Sequence, residues 1–221
     1  MPTDTPGRKA GLSREVLVRA ALGVVDRDGL DALSMRRLGS ELGVDPMAAY
    51  RHFPNKESLL DGVVEAVVSE IDLATDPATP WSDQVRRLAG AYRAALLRHP
   101  AVAPLVASRP ASTPGALRLA ERSLALMEDA GVPRHEAILA VNALGVLVSG
   151  MALLESASAH PTEDARRQLG ALASLPPDEF PRMLDLVTSG DIVTSYEEMT
   201  DFGVGAIVGS LHTRPAESVP R

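Results

Sequence analysis

The feature that most constrains the fold is a series of helix-capping residues in the first 60 positions, each followed by apolar residues at helical spacing. Ser, Asp and Asn side chains accept hydrogen bonds from the free backbone N–H groups at a helix start. The caps are Ser13, Ser34, Asp45 and Asn55. Gly29 ends the first helix, and Gly43 makes a tight turn before the third. The sequence therefore predicts four consecutive helices between residue 13 and about residue 70.

The rest of the chain also has the composition of a helical protein. Hydrophobic residues make up 45% of the chain and aromatic residues only 3%, and the abundance of Ala, Leu and Val favours helices over strands. Two prolines interrupt the pattern within residues 72–82, so we place a domain boundary on or just before this segment. Further helices are predicted at residues 82–98, 101–107, 115–130, 134–156, 162–174, 178–189 and 195–212.

The predicted fold is therefore all-α, with a smaller N-terminal domain and a larger C-terminal one. The 221 residues are enough for two such domains. We assign residues 1–12 to a flexible arm, 13–71 to the first domain, 72–213 to the second and 214–221 to a flexible tail. The sequence shows no strand alternation, internal repeat or heptad pattern.

Composition excludes several classes of site. The chain has no cysteine, which excludes disulfides, cysteine-ligated zinc, iron–sulfur clusters and a cysteine nucleophile. The polar N-terminus lacks the apolar run of a signal peptide, so we expect a cytoplasmic protein. The five histidines are scattered, and no nucleophile elbow, metal-ligand spacing or phosphate-binding loop accompanies them. We therefore predict that the protein is not an enzyme and needs no metal or other cofactor.

Residues 34–53 are predicted to form two short helices around a Gly-Val turn, which is the arrangement of a helix-turn-helix. The stretch LSMRRLGSELGVDPMAAYRHFPNKESLLDGVV (33–64) closely resembles the DNA-binding signature of the TetR family. It shares the Ser-x-Arg start of the second helix, the Gly-Val turn and the Tyr-x-His-Phe sequence, but Ala49 stands where a bulky aliphatic residue is more usual. The resemblance implies a transcriptional regulator, usually a repressor, that binds a palindromic double-stranded operator as a homodimer.

The resemblance also implies which residues contact DNA. Tyr50, His52 and Lys56 would hold phosphate oxygens, and Arg36 can make a bidentate contact with guanine. Apolar side chains can only read thymine methyl groups or shape, and Arg51 can reach either a phosphate or a base. The predicted contact set is Arg36, Met47, Ala48, Tyr50, Arg51, His52 and Lys56. The first 60 residues carry nine basic and eight acidic side chains, so individual cations must matter more than bulk charge.

Residues 81–155 resemble the C-terminal domain of the tetracycline-repressor branch of the family, through the Trp, the Arg-His-Pro break, the Ser-Arg-Pro loop and the helix lengths. The resemblance implies a small-molecule pocket and dimerisation through the helices at 134–156 and 195–212. The predicted pocket residues are Leu88, Tyr92, Leu105, Ser108, Ser123, Met127 and Asn142. Asp72 and Leu105 stand where that branch has imidazole ligands, so we predict a more apolar effector, of unknown identity, that requires no metal.

The segment 137–154 leaves alternatives open. It is apolar apart from Asn142 and Ser149, which predicts a helix buried on all sides. It lies at the short limit for a membrane span and has no basic flank, so we predict no membrane insertion. Asn142 could instead form a bond across a dimer interface. At the level of function, the alternatives are a helical interaction protein and a transcriptional activator without a small-molecule ligand.

Overall fold

The computed structural model describes residues 12–108, 113–158, 170–172, 174–189 and 195–212, and within them all regular structure is helical. The helices are α1 (Arg14–Asp28), α2 (Met35–Leu42), α3 (Pro46–Tyr50), α4 (Lys56–Val68), α5 (Trp81–Arg98), α6 (Ala103–Ser108), α7 (Pro114–Asp129), α8 (Arg134–Ser158), α9 (Pro181–Ser189) and α10 (Tyr196–His212), with a 3₁₀ turn at Leu30–Ala32. The all-α prediction is confirmed. Most of the helix predicted at 162–174, the tail and all but one residue of the arm lie outside the described residues.

The four predicted caps begin helices α1 to α4. Ser13, Ser34, Asp45 and Asn55 each accept a hydrogen bond from a backbone N–H in the first turn of the helix that follows. Gly43 follows α2 with φ 63°, a left-handed conformation that glycine adopts without steric cost. The chain can therefore reverse into α3 within a few residues, as the helix-turn-helix prediction requires.

Helices α2 and α3 lie very close together because residue 39 is glycine. A Cβ atom built on Gly39 would lie 2.9 Å from the carbonyl oxygen of Val44 and 3.1 Å from the backbone nitrogen of Pro46. Glycine inside a helix costs about 0.5–1 kcal/mol relative to alanine. The close approach of α2 to α3 explains why this cost is tolerated.

We expect the substitution Gly39→Ala to lower the free energy of unfolding by about 1–3 kcal/mol, because the added methyl group meets rigid backbone atoms. The matched control is Gly23→Ala on the exposed side of α1, where an added Cβ meets no atom within 4 Å. That control should raise stability by about 0.5–1 kcal/mol through helix propensity. Urea unfolding of both variants measures the difference. Equal stabilisation by both would show that α2 and α3 separate without cost.

The largest apolar core does not stop at the end of α4. It is built around residues of α1 to α4, with Phe53 fully buried, and continues into residues of α5, α6 and α8. The segment after α4 is also held in place, since Arg87 donates to the carbonyl oxygens of Asp72 and Ala74, and Arg122 donates to that of Leu73. The domain boundary that we place at residue 72 is therefore not marked by a break in packing.

Helix α8 is not buried on all sides within a single chain, so that prediction is wrong for the monomer. One side packs against α5, α6, α7 and α10, but Leu139 is 56% exposed and Val146 is 76% exposed. Phe202 on the neighbouring helix α10 is 80% exposed. Residues 134–157 form the one helix in the described parts of the chain that is long and apolar enough to span a membrane. A single chain therefore leaves one apolar side of α8 exposed to solvent.

Candidate DNA-binding surface and ligand cavity

Helices α1–α4, which we call the head, present a surface with free cations around α3. Met47 is 65% exposed and Tyr50 is 43% exposed. Arg36 and Arg51 are exposed, and neither forms an ion pair or hydrogen bond within the described part of the chain. In contrast, Arg37 pairs with Asp28 and Glu41. Two arginines of the predicted contact set are therefore available to an external anion.

The other predicted contacts are less accessible. Ala48 is only 7% exposed because α3 lies against α2, so it offers little surface to DNA, contrary to its predicted role in reading bases. His52 and Lys56 are half-buried. The Lys56 Nζ lies 3.4 Å from the carbonyl oxygen of Leu30, at the long limit of a hydrogen bond. A phosphate could compete for this ammonium group.

The structure adds Arg14, which sequence reasoning missed. Its Nη1 donates to the carbonyl oxygen of His52 at 2.9 Å, and its guanidinium lies 4.0 Å from the centroid of the Phe53 ring. Helix α3 has only five residues, too few to be stable without neighbours. Arg14 therefore fixes the chain immediately after α3, between Tyr50 and the buried Phe53. Its position 38 residues before His52 gave no local sequence signal.

We expect Arg14→Met to weaken operator binding about tenfold, through loss of a charge-assisted hydrogen bond and a cation–π contact. The salt dependence of binding should not change, because Arg14 acts on the backbone of His52 and not on a phosphate. Fluorescence anisotropy across a range of salt concentrations measures both quantities, with Arg19→Met on the same helix as the control. A salt slope reduced by about 0.9 would show instead that Arg14 neutralises a phosphate.

A cavity of about 560 Å³ lies between α4, α5, α7 and α8. Four of the seven predicted pocket residues line it, namely Leu88, Tyr92, Ser123 and Asn142. Val64 and Val68 of α4 also form part of its wall. The sequence marks these two valines only as part of an apolar helix face, which does not distinguish a cavity wall from a packed core. Ile138, Asn142 and Val146 are exposed, so the cavity opens to solvent beside α8.

The other three predicted pocket residues lie outside the cavity. Met127 is fully buried in the apolar core formed with α5, α8 and α10, and Leu105 is 9% exposed in the core shared with the head. Ser108 is exposed, and its hydroxyl donates to the carbonyl oxygen of Leu105. Helix α6 instead presents Val106 and Ala107 to the cavity. The predicted lining therefore fails for two residues because of the rotation of the short helix α6, and for Met127 because its side of α7 packs into the core.

The cavity wall is apolar with a few hydroxyl and amide groups, and the described lining residues include no charged side chain. The Tyr92 hydroxyl and the Ser149 Oγ lie 2.8 Å apart, and their mutual bond uses only one of the two O–H hydrogens. Burial raises the pKa of the Tyr92 phenol, more than the bond to Ser149 lowers it, so the phenol stays neutral. The Asn142 amide donates to the carbonyl oxygen of Ile138 on its own helix.

Helix α4 is also tied to α7 by polar contacts. The Glu65 carboxylate accepts hydrogen bonds from the backbone N–H of Gly115, the Ser69 hydroxyl and the Arg118 guanidinium. Burial opposes ionisation of Glu65, but these hydrogen bonds outweigh it and lower the pKa of the carboxyl group. Residues of α7 and of α4 both line the cavity. A displacement of α7 would therefore be transmitted to α4 through Glu65.

Comparison with known proteins agrees with this architecture. The family described as bacterial regulatory proteins, tetR family, matches residues 17–63, and the family described as tetracyclin repressor-like, C-terminal domain, matches residues 74–208. The class C tetracycline repressor of Escherichia coli is 31% identical to this chain over 204 residues, 90% of either protein. An HTH-type transcriptional regulator of Saccharopolyspora erythraea is 33% identical over 166 residues, 75% of this chain and 70% of that protein.

A solved structure shows the same fold over most of the chain. The crystal structure of the Streptomyces coelicolor TetR family protein ActR in complex with actinorhodin matches with a TM-score of 0.83 and 30% sequence identity. The match covers 92% of this chain and 98% of that chain. The helix-turn-helix and the cavity lie in the two regions that the family models match. The chain belongs to the TetR family of DNA-binding transcriptional regulators.

Proposed function

We propose that this protein is a ligand-responsive repressor that binds a palindromic operator as a homodimer. The observation that carries the proposal is the double role of α4. Lys56 at its first turn lies in the predicted contact set, while Val64 and Val68 near its end line the cavity. At about 1.5 Å per residue, Val64 and Val68 lie about 12 and about 18 Å along the helix from Lys56. A molecule in the cavity therefore touches the helix that supports the DNA-binding surface.

Exposed apolar side chains on α8 and α10 support the homodimer. Leu139, Val146 and Leu154 on α8 and Phe202 on α10 are each more than half exposed. The two helices pack against each other, so their apolar sides can form one surface that a second copy would cover. A two-fold dimer presents two heads to one side of DNA, which matches half-sites separated by the helical repeat of about 34 Å.

The proposed switch is a shift of α4. A ligand that fills the space between α4 and α7 would displace these helices, and the change would reach α3 through the core that α4 shares with it. The distance between the two DNA-reading helices of the dimer would then no longer fit the operator. A difference of a few ångströms is enough to weaken binding.

We infer an uncharged, mostly apolar effector that binds without a metal. The cavity lining supports this, because it is uncharged and places one unused O–H hydrogen at the Tyr92–Ser149 pair, where a carbonyl oxygen of the ligand could accept it. The ActR structure in complex with actinorhodin gives a precedent for an organic ligand in this fold. Tight binding of magnesium–tetracycline in a calorimetric titration would contradict the inference.

We also infer that the protein is not an enzyme and acts in the cytoplasm. Its relatives are transcriptional regulators, and a regulator must reach the chromosome. No group of three or more His, Cys, Asp or Glu residues suited to a metal ion occurs in the described residues. We assign the apolar helix α8 to the dimer interface and not to a membrane, since one side of it already packs against four helices of the chain.

Anisotropy of the purified protein on duplexes from around its own gene tests the proposal, with a scrambled duplex as control. Tyr50→Ala should weaken sequence-selective binding by about 10- to 100-fold, and Lys56→Ala should reduce the salt slope by about 1. Both variants should remain dimers, since neither residue lies on α8 or α10. A protein that dimerises but selects no duplex, even from random DNA, would be a helical interaction protein. An activator would bind DNA and raise transcription of a reporter.

A further inference from the structure

His99 forms a junction between three parts of the fold. It lies between α5 and α6, and its side chain is 14% exposed. Its Nδ1 is 2.9 Å from the Oδ2 of Asp26 on α1, and its Nε2 is 3.0 Å from the Oε1 of Glu70, two residues after α4. Arg98 also donates to Glu70, from Nε at 3.1 Å and from Nη2 at 2.7 Å. These four residues form a cluster of two acids and two bases.

Both ring nitrogens of His99 therefore face carboxylates. Burial opposes ionisation of Glu70, but the hydrogen bonds from Arg98 and His99 outweigh it and hold the pKa of this carboxyl group below its ordinary value. An ionised carboxylate accepts hydrogen bonds and cannot donate them. Both contacts can form together only when each ring nitrogen carries a hydrogen, which is the imidazolium form.

The cluster joins the head to the part of the chain that holds the cavity. Asp26 lies near the end of α1, and Glu70 follows α4, whose Val64 and Val68 line the cavity. His99 precedes α6, whose Val106 and Ala107 line the cavity from another side. A change in the His99 contacts would alter how the head is held relative to the cavity.

We propose that His99 is a positioning residue that holds the head in place only while its ring is doubly protonated, so that operator affinity depends on pH. A neutral imidazole has one N–H and can donate to only one of the two carboxylates. The lone pair of its other nitrogen then faces the second carboxylate at about 3 Å, and that contact becomes repulsive. Raising the pH should therefore loosen α1 or the end of α4, and with it the spacing of the heads. This inference rests on the function proposed above, which is binding of an operator by the dimer.

Two substitutions with opposite expected effects test it. His99→Gln offers one donor group that does not titrate, so this variant should bind the operator at all pH values as the wild type does at high pH. Asp26→Asn offers an amide N–H to the neutral ring, so both contacts can form without the extra proton. At high pH, this variant should bind the operator as tightly as the wild type does at low pH. Arg19→Gln, at an exposed position on α1, is the control.

Operator affinity is measured at about pH 6 and about pH 8.5, on either side of the range in which imidazoles titrate. The wild type and Arg19→Gln should lose about fivefold or more in operator affinity over this range, beyond any loss shared by all variants. A loss shared by all four proteins does not arise from His99. Parallel pH profiles for the wild type, His99→Gln and Asp26→Asn would overturn the proposal.

A spectroscopic measurement of the His99 ring tests the proposal without DNA. The ¹⁵N chemical shifts of the His99 ring should show hydrogens on both nitrogens at about pH 6 and on one at about pH 8.5. A ring that carries one hydrogen at the lower pH would overturn the proposal. If the wild type bound no duplex, operator binding itself would fail, and the ring state would still show whether the double contact exists.

Discussion

Phe202→Asp is expected to convert the protein to a monomer and to weaken operator binding about 100-fold or more. Phe202 is 80% exposed on α10, beside the exposed apolar side of α8. A carboxylate buried in an apolar interface without a partner costs several kcal/mol, and a two-fold axis introduces two of them. The monomer would retain one head and could hold only one half-site.

Sedimentation measures the oligomeric state, and anisotropy on the selected operator measures affinity. The matched control is Leu117→Asp, where the leucine is 55% exposed and lies on α7, not on α8 or α10. It should remain a dimer and bind DNA as the wild type does. Circular dichroism should show unchanged helicity in both variants. A Phe202→Asp protein that stays dimeric would place the interface elsewhere.

Gly145→Leu is expected to stabilise the protein by about 2–4 kcal/mol while blocking its response to ligand. Gly145 lies in the middle of α8 and lines the cavity, and a Cβ there would meet no atom within 4 Å. Helix propensity contributes about 0.8 kcal/mol, and burial of the leucine in the cavity adds about 1.5–3 kcal/mol. The same side chain would occupy space that an effector needs.

Urea unfolding of the ligand-free protein measures the stability gain. Gly23→Leu on the exposed side of α1 is the control, because it gains helix propensity without filling a cavity. Gly145→Leu should keep its operator affinity, and compounds that raise the melting temperature of the wild type should not raise that of this variant. A gain no larger than that of the control would mean that the leucine points into solvent.

Sequence alone was sufficient for the parts of the fold that depend on local chemistry. Ser13, Ser34, Asp45 and Asn55 cap the helices for which they were predicted, because capping needs only a side-chain oxygen and the next turn of backbone. The helix-turn-helix depends on the same local signals together with Gly43. The family resemblance then supplied the contact set, of which Met47, Tyr50, Arg36 and Arg51 are exposed.

Features that depend on distant contacts were not predictable in the same way. Leu88 and Met127 are both apolar residues on helix faces, yet only Leu88 borders the cavity, because the arrangement of neighbouring helices decides which face is left uncovered. The contact between His99 and Asp26 joins residues 73 positions apart, and no spacing rule connects them. The 76% exposure of Val146 on an apolar helix likewise depends on how α8 packs against its neighbours.

The shared wall formed by Val64 and Val68 of α4 has a thermodynamic consequence for how the effector acts. If occupation of the cavity lowers operator affinity by some factor, operator DNA must lower effector affinity by the same factor. The dissociation constant measured on free protein therefore understates the effector concentration needed to clear an occupied operator. We expect substitutions at these two valines to change both affinities, because both lie on the helix that supports the head, whereas substitutions elsewhere in the cavity wall can alter effector preference without changing DNA affinity.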